Sequence, residues 1–184
     1  MEFDEVLARR RSRRAYGPVE ITDDMVRKLL QAASLAPSCT NSQPWRFVMV
    51  RKPEQLERVF QTLTRGNYWM TKVSMVVAVF TEPDSDCDVQ GVSYEMFDTG
   101  MAAALLLLKA TEMGLLTHPI AGFNKEMVKE VLGLSEQHTI ITLIGIGKRS
   151  DDLGALNENH RERETSPRIR KPLEEIGFME SYTT

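Results

Sequence analysis

The sequence predicts an α+β protein. Three short apolar runs read as buried strands, at residues 45–51, 73–80 and 139–147. Stretches with helical periodicity outnumber them and do not alternate with them as a parallel βαβ sheet would require. With 184 residues the chain is long enough for one domain with a sizeable core, so residues 1–184 are taken as a single domain.

Phe3, Val6 and Leu7 recur at helical spacing and give a first helix that runs into Arg9-Arg10-Arg11-Ser12-Arg13-Arg14. Thr22 with Asp23 and Asp24 starts a second helix, whose apolar face is Met25, Val26, Leu29, Leu30 and Ala33. Pro37 ends it. A polar loop to Pro44 then leads into the first strand, Trp45–Arg51. Pro53 suits the first turn of a third helix carrying Leu56, Val59, Phe60 and Leu63. Val73–Phe80 has too little polarity to be half-exposed. Val92–Met113 is the longest helix, apolar on most sides and therefore central, and Gly114 ends it. Lys125–Leu132 gives a short helix and Thr139–Gly147 the third strand. Beyond Lys148 the chain turns charged, with Leu153, Leu156, Ile169, Leu173, Ile176 and Phe178 as scattered apolar anchors. Such a segment, about 149–184, is either disordered or docked as an extended arm, and its placed apolar anchors favour docking.

Composition narrows the function. The run Met101–Leu108 is far short of the roughly 20 apolar residues of a membrane span, so no membrane partner is expected. No apolar leader follows Met1, which points to the cytoplasm. The two cysteines, Cys39 and Cys87, form neither a disulfide framework nor a metal-ligand set, and their scarcity fits a reducing compartment. His118, His138 and His160 are too scattered for a metal site, so no metal is expected.

The net charge is -3, which makes the arginine block a local positive focus on an acidic chain. A second focus, Arg161, Arg163, Arg168, Arg170 and Lys171, lies near the other end. If the chain is extended after Arg10, alternation places Arg10, Ser12 and Arg14 on one side, and Arg168 and Arg170 likewise share a side. Guanidinium forks match phosphate oxygens, so the two foci are read as two ends of the chain meeting at one anion. Solvated basic patches are the alternative. Nucleic acid is disfavoured, since its binding faces carry wider basic stripes with interleaved aromatics. The loop Ala36–Trp45, stiffened by Pro37 and Pro44, offers carbonyls, the Asn41 amide and small side chains to a flat heterocycle. An ordinary helix-to-strand turn would have similar composition.

Four segments, in order, resemble the motifs of the FMN-dependent nitroreductases. They are Arg10-Arg11-Ser12-x-Arg14-x-Tyr16, Pro37-Ser38-x-x-Asn41-x-Gln43-Pro44-Trp45, Pro119-Ile120-Ala121-Gly122-Phe123 and Arg168-x-Arg170-x-Pro172-Leu173. The second is the most specific. The resemblance implies a central mixed or antiparallel sheet flanked by helices, with the C-terminal arm reaching a partner subunit. It implies a homodimer with FMN at the subunit interface, its phosphate held by Arg10, Ser12, Arg168 and Arg170, with Arg11 nearby. The late arginines could come from either chain. It sets Arg14 near the N1–C2 carbonyl edge of the ring, as electrostatic support with no acid–base side chain required. Pro37, Ser38 and Cys39 would pack along the ring and Asn41 would hydrogen-bond near it. Backbone groups of the segment Pro119, Ile120, Ala121 and Gly122 would face the N5–O4 edge.

The family often carries an acidic residue where this chain has Ala121, and Asn67, Thr71 and Lys72 are alternative candidates for a further contact with the ring. Tyr68, Trp69 and Met70 are read as either acceptor-site cover or packing, and His118 as either a pocket-lining residue or a loop residue with no chemical task. Glu95 and Asp98 are placed at the start of the central helix, where the dipole favours carboxylates. The implied activity is ping-pong hydride transfer through flavin N5, from NADH or NADPH to small electron-poor acceptors such as nitroaromatics and quinones. A same-fold reductive dehalogenase or flavin-dependent dehydrogenase is one alternative. A flavin-binding electron-transfer protein without nicotinamide chemistry is another.

Overall fold

The protein is described by a computed structural model covering residues 1–182. In chain order its elements are α1 (Phe3–Arg9), β1 (Tyr16–Gly17), α2 (Asp23–Ala33), β2 (Trp45–Val50), α3 (Pro53–Phe60) and β3 (Met75–Thr81). They continue with β4 (Asp88–Val89), β5 (Val92–Ser93), α4 (Glu95–Glu112), β6 (Leu116–Ile120), α5 (Lys125–Leu132), β7 (Thr139–Arg149) and α6 (Glu158–Thr165). Short 3-10 turns occupy Cys39–Asn41, Arg65–Lys72 and Leu173–Glu175.

The sheet is organised by its longest strand, β7. One edge of β7 pairs with β3, which pairs with β2, while β6 and the two-residue β1 share its other edge. Every pairing is antiparallel. Ile144 faces Val77, and Val77 faces Met49, so the three predicted apolar strands lie side by side.

Alternation along β3 divides its side chains between two layers. Met75, Val77 and Val79 point toward α2 and α4, where they meet Leu29, Ala102, Leu106 and Ala110. Val76, Ala78 and Phe80 point the other way, into a cluster with Leu56, Val59, Trp69, Met70 and Val128. Complete burial of a side chain such as Leu106 contributes about 1.5–3 kcal/mol, which explains why α4 sits centrally despite its weak amphipathicity. Caps follow the sequence. Thr22 accepts the Met25 N–H at the start of α2, and Asn124 accepts the Met127 N–H at the start of α5. Among the described residues no helix is long and apolar enough to cross a membrane.

Several elements differ from expectation. β6 contains His118 and Pro119, which read as a loop, yet it pairs only with β7, and an edge strand tolerates proline. Residues 92–93 belong to a β4–β5 hairpin instead of the long helix. Its turn residues Gln90 and Gly91 have φ of 57° and 80°, and Asp88 accepts the Gly91 N–H. The expected second strand starts at Met75, and β7 runs on to Arg149. The charged C-terminal segment is not uniformly extended: α6 forms inside it, capped by Asn157.

Candidate cofactor site

The arginine block leaves α1 in extended conformation at Arg10, and the alternation expected from the sequence follows. Arg10 donates from Nη1 to Ser12 Oγ at 3.4 Å. The opposite side turns inward. Arg11 donates to the Ser166 carbonyl at 2.9 Å, and Arg13 Nε lies 3.9 Å from Glu164. The Arg14 backbone N–H donates to the same buried carboxylate at 2.7 Å. Glu164 of α6 therefore neutralises the inner side of the block and locks its backbone.

The outer side receives the C-terminal arginines. Arg168 donates to the Leu7 and Ala8 carbonyls at 3.2 and 2.9 Å and also to the Arg10 carbonyl, capping the C-terminus of α1. The two basic foci meet within one chain. Burial, and then the charges of Arg168, Arg170 and Arg11, lower the pKa of the Arg10 guanidinium. Among the described residues no carboxylate pairs with Arg10, Arg168 or Arg170. Converging cations without a counter-charge are an arrangement that an anion completes.

Next to this cluster Arg14 lies over the Trp69 ring, 5.7 Å from its centroid, at cation–π distance. Burial is the main cause of its lowered pKa, followed by Arg163. Trp69 packs between Tyr16 and His118, with centroids at 5.9 and 4.5 Å. Arg14 Nε and Trp69 Nε1 are buried without a partner. His118 is buried on β6 and donates from Nδ1 to the Arg13 carbonyl at 2.9 Å. Burial pushes its pKa down to about 4, so the ring is neutral at pH 7 and holds the Arg13–Arg14 backbone in place. This corrects its reading as a loop residue. Trp69 and Met70 are core residues, and the Tyr68 hydroxyl accepts the Asn157 N–H at the start of α6.

The loop Pro37–Trp45 is unusually constrained. Thr40, Asn41 and Gln43 have φ of 50°, 60° and 54°, left-handed values that cost on the order of 1–3 kcal/mol each at non-glycine residues. Ser38 Oγ accepts the Gln43 N–H, and the Cys39 N–H donates to Asp98 Oδ2 at 2.7 Å. Asp98 is thus a buried anchor of the loop, more than a dipole-favoured surface carboxylate; burial raises its pKa. The Asn41 side chain is exposed. One expectation fails here. Cys39 and Cys87, read as an unconnected pair, are joined as a disulfide with Cα atoms 6.2 Å apart. Their separation of 48 residues concealed a proximity that only the packing of the 82–94 segment on the loop creates.

In the segment Pro119–Gly122, Pro119 and Ile120 belong to β6, and the Ile120 carbonyl accepts from Thr142. The Gly122 carbonyl accepts from the Thr64 N–H, Thr64 Oγ1 and Asn67 Nδ2, at 3.0, 3.0 and 2.8 Å. Among the described residues the N–H groups of Ala121 and Gly122 have no such partner. A Cβ at position 122 would stand 2.5 Å from Asn67 Nδ2 and 2.6 Å from Thr64 Oγ1, so it would displace the side chains that bond the Gly122 carbonyl. Of the three alternatives, Asn67 is the one bonded to this segment. Thr71 bonds Tyr68, and Lys72 is exposed.

Sequence reasoning did not single out Glu164, and it left Trp69 open between acceptor-site cover and packing, which the structure resolves as packing. Glu164 sits in a charged stretch without periodicity. Trp69 lies in a 3-10 turn where helical spacing gives no signal.

An antiparallel α+β sheet with arginines from both ends of the chain converging beside α1 defines the class of fold and site, and comparison with known proteins makes this more specific. A profile of the Nitroreductase family matches residues 7–69 and 64–148, and the chain belongs to that family. An Archaeoglobus fulgidus protein, named provisionally as an NADH dehydrogenase/NAD(P)H nitroreductase, is 30% identical over 149 residues, covering 78% of this chain and 83% of its own. YdgI of Bacillus subtilis, named provisionally as an NAD(P)H nitroreductase, is 28% identical over 188 residues, covering 82% and 90%. A crystal structure described as an oxidoreductase containing FMN superposes with a TM-score of 0.86 at 27% identity, covering 100% of this chain and 94% of that one.

Proposed function

We propose that the chain is an FMN-dependent NAD(P)H oxidoreductase that reduces small electron-poor acceptors such as nitroaromatics and quinones. The observation that carries this reading is the convergence of Arg10, Arg168 and Arg170 without a carboxylate among the described residues, beside the hydroxyl of Ser12. A phosphate ester suits that charge and donor geometry. Arg14 Nε and the Ala121 and Gly122 N–H groups are further unpaired donors for a flat, carbonyl-bearing ring, and Pro37, Ser38, Cys39 and Asn41 supply its other wall. Bound FMN would supply the two-electron chemistry between nicotinamide and acceptor, and the protein the grip, orientation and electrostatics. Arg14, fixed over Trp69, is a preorganised cation that favours negative charge developing during reduction. Turnover would be ping-pong: the nicotinamide donor gives up its hydride and leaves as NAD(P)⁺, and the acceptor then enters the same pocket.

The working unit is a cytoplasmic homodimer with the flavin at the subunit interface, each chain folding as one domain over 1–184. Several observations favour two chains. Asp98 ties the Pro37–Trp45 loop to the first turn of α4, whereas α1, which leads into the arginine block, packs beside Leu105–Glu112. Among the described residues no hydrogen bond or ion pair joins loop and block, and a two-fold partner would complete both halves. The C-terminal arm presents Ile169, Leu173, Ile176 and Met179 exposed, as a segment made to lie on another surface would. An apolar groove of about 530 Å³ lined by Phe3, Leu35 and Leu105 offers such a surface.

The test is the visible spectrum of freshly purified protein, followed by anaerobic NADH or NADPH. A yellow protein that bleaches and recovers colour with a quinone is expected. A yellow protein that does not bleach would establish electron transfer without nicotinamide chemistry, and colourless protein that gains no flavin would refute the reading.

A further inference from the structure

The geometry points to a thiolate–carboxylate site for a soft divalent cation, Zn²⁺ by preference, formed by Cys39, Cys87 and Asp86 when the cysteine pair is reduced. The two sulfurs and an Asp86 carboxylate oxygen all lie within 4.8 Å of one another. Zinc takes sulfur at about 2.3 Å and carboxylate oxygen at about 2.0–2.2 Å, so once reduction lets the two sulfurs part, this S₂O set can fill three of the four tetrahedral positions, with water in the fourth. The half-buried cluster stands between the Pro37–Trp45 loop and the 82–94 segment.

The carboxylate of this cluster is already held in place. Asp86 Oδ1 accepts from Ser42 Oγ and from the Cys87 N–H, both at 2.7 Å, and lies 3.5 Å from Cys87 Sγ. These bonds orient the carboxylate as outer-shell partners orient metal ligands. Asp86 Oδ2 is buried and has no hydrogen-bond partner, so one carboxylate oxygen remains free for a cation. Asp98 lies against Asp86 while holding the Cys39 N–H, so it braces the loop beside the cluster. Two thiolates select Zn²⁺ over the harder Mg²⁺ and Ca²⁺.

The disulfide and the metal site are two states of the same groups. A Cα separation of 6.2 Å lies within the usual disulfide range of about 4.4–6.8 Å, so oxidation needs no rearrangement of the backbone. Reduction breaks the S–S bond with two electrons and two protons from a dithiol reductant, which leaves as its own disulfide. Zinc binding then releases the thiol protons. In a reducing compartment the dithiol state prevails, and zinc replaces the covalent link between loop and hairpin.

The experiment measures zinc bound after gel filtration, and protection of the thiols from alkylation, for the flavin-loaded full chain in its reduced and oxidised forms. Excess Mg²⁺ is present throughout. One equivalent of Zn²⁺ per reduced chain, both thiols protected, and no retention by the oxidised chain is the expected result. Removing an outer-shell partner typically weakens a metal site by about 10–100-fold, so Cys87→Ser should cost at least that much. Should Cys87→Ser fail to fold, Asp86→Asn provides the same comparison. No uptake by the reduced chain overturns the assignment. So does equal uptake by the oxidised chain, or equal uptake by the folded variants. The readout is metal content, so it fails or succeeds independently of whether NAD(P)H bleaches the protein.

Discussion

Replacing His118 with Asn tests how the fold holds the arginine block. The Asn amide can still donate to the Arg13 carbonyl, but it cannot titrate. In the native chain burial lowers the His118 pKa from 6.5 to about 4, so the folded state takes up this proton less readily than the unfolded state. The sign follows. Nothing is lost above about pH 6.5, stability falls as pH drops through the window from 6.5 to 4, and no further loss occurs below it. The full drop corresponds to about 3 kcal/mol and, at pH 5, to about 2 kcal/mol. Urea denaturation of both proteins at pH 7.5 and pH 5, at fixed protein and flavin concentrations, isolates this quantity. Lost packing against Trp69 lowers the variant equally at both pH values and cancels in the comparison. The native protein should lose about 2 kcal/mol more than His118→Asn on acidification. Parallel losses in the two proteins would refute a buried neutral histidine at this position.

Three further outcomes are expected. Changing Arg10 and Arg168 together to Ala removes charge-assisted bonds of about 1.5–3 kcal/mol each, so FMN affinity should fall roughly 10²–10⁴-fold. Quenching of flavin fluorescence on binding measures this, and unchanged affinity would count against the cradle. Gly122→Ala places a methyl 2.5 Å from Asn67 Nδ2 and 2.6 Å from Thr64 Oγ1. Such overpacking costs about 1–3 kcal/mol, and the displaced Ala121–Gly122 backbone should weaken flavin binding; a variant with unchanged melting temperature and flavin affinity would show that the segment has room. Glu164→Ala leaves the buried Arg14 N–H without its acceptor, at a cost of about 1–3 kcal/mol in chemical denaturation, and Glu164→Gln should recover part of it.

Much of this molecule was legible in one dimension because its signals are local. The caps at Thr22 and the proline at the start of α3 were visible in their own segments, as were the apolar runs of β2, β3 and β7. Period-two geometry correctly placed Arg10 and Ser12 together, because an extended backbone leaves a side chain no other choice. β6 escaped because its character comes from β7 beside it, and α6 because it is held by capping and by Glu164 pairing across the structure. Neither depends on a periodic apolar face.

By itself the sequence determined the α+β class, the order of the main elements and the two arginine clusters proposed to hold a phosphate, since periodicity, capping and alternation act over a few residues. Only the tertiary structure decided that Arg168 closes on α1 of its own chain, that His118 is buried and neutral, and that Cys39 meets Cys87. Each of these depends on how far a group has been withdrawn from water and which distant group replaces that water, and no linear pattern encodes either.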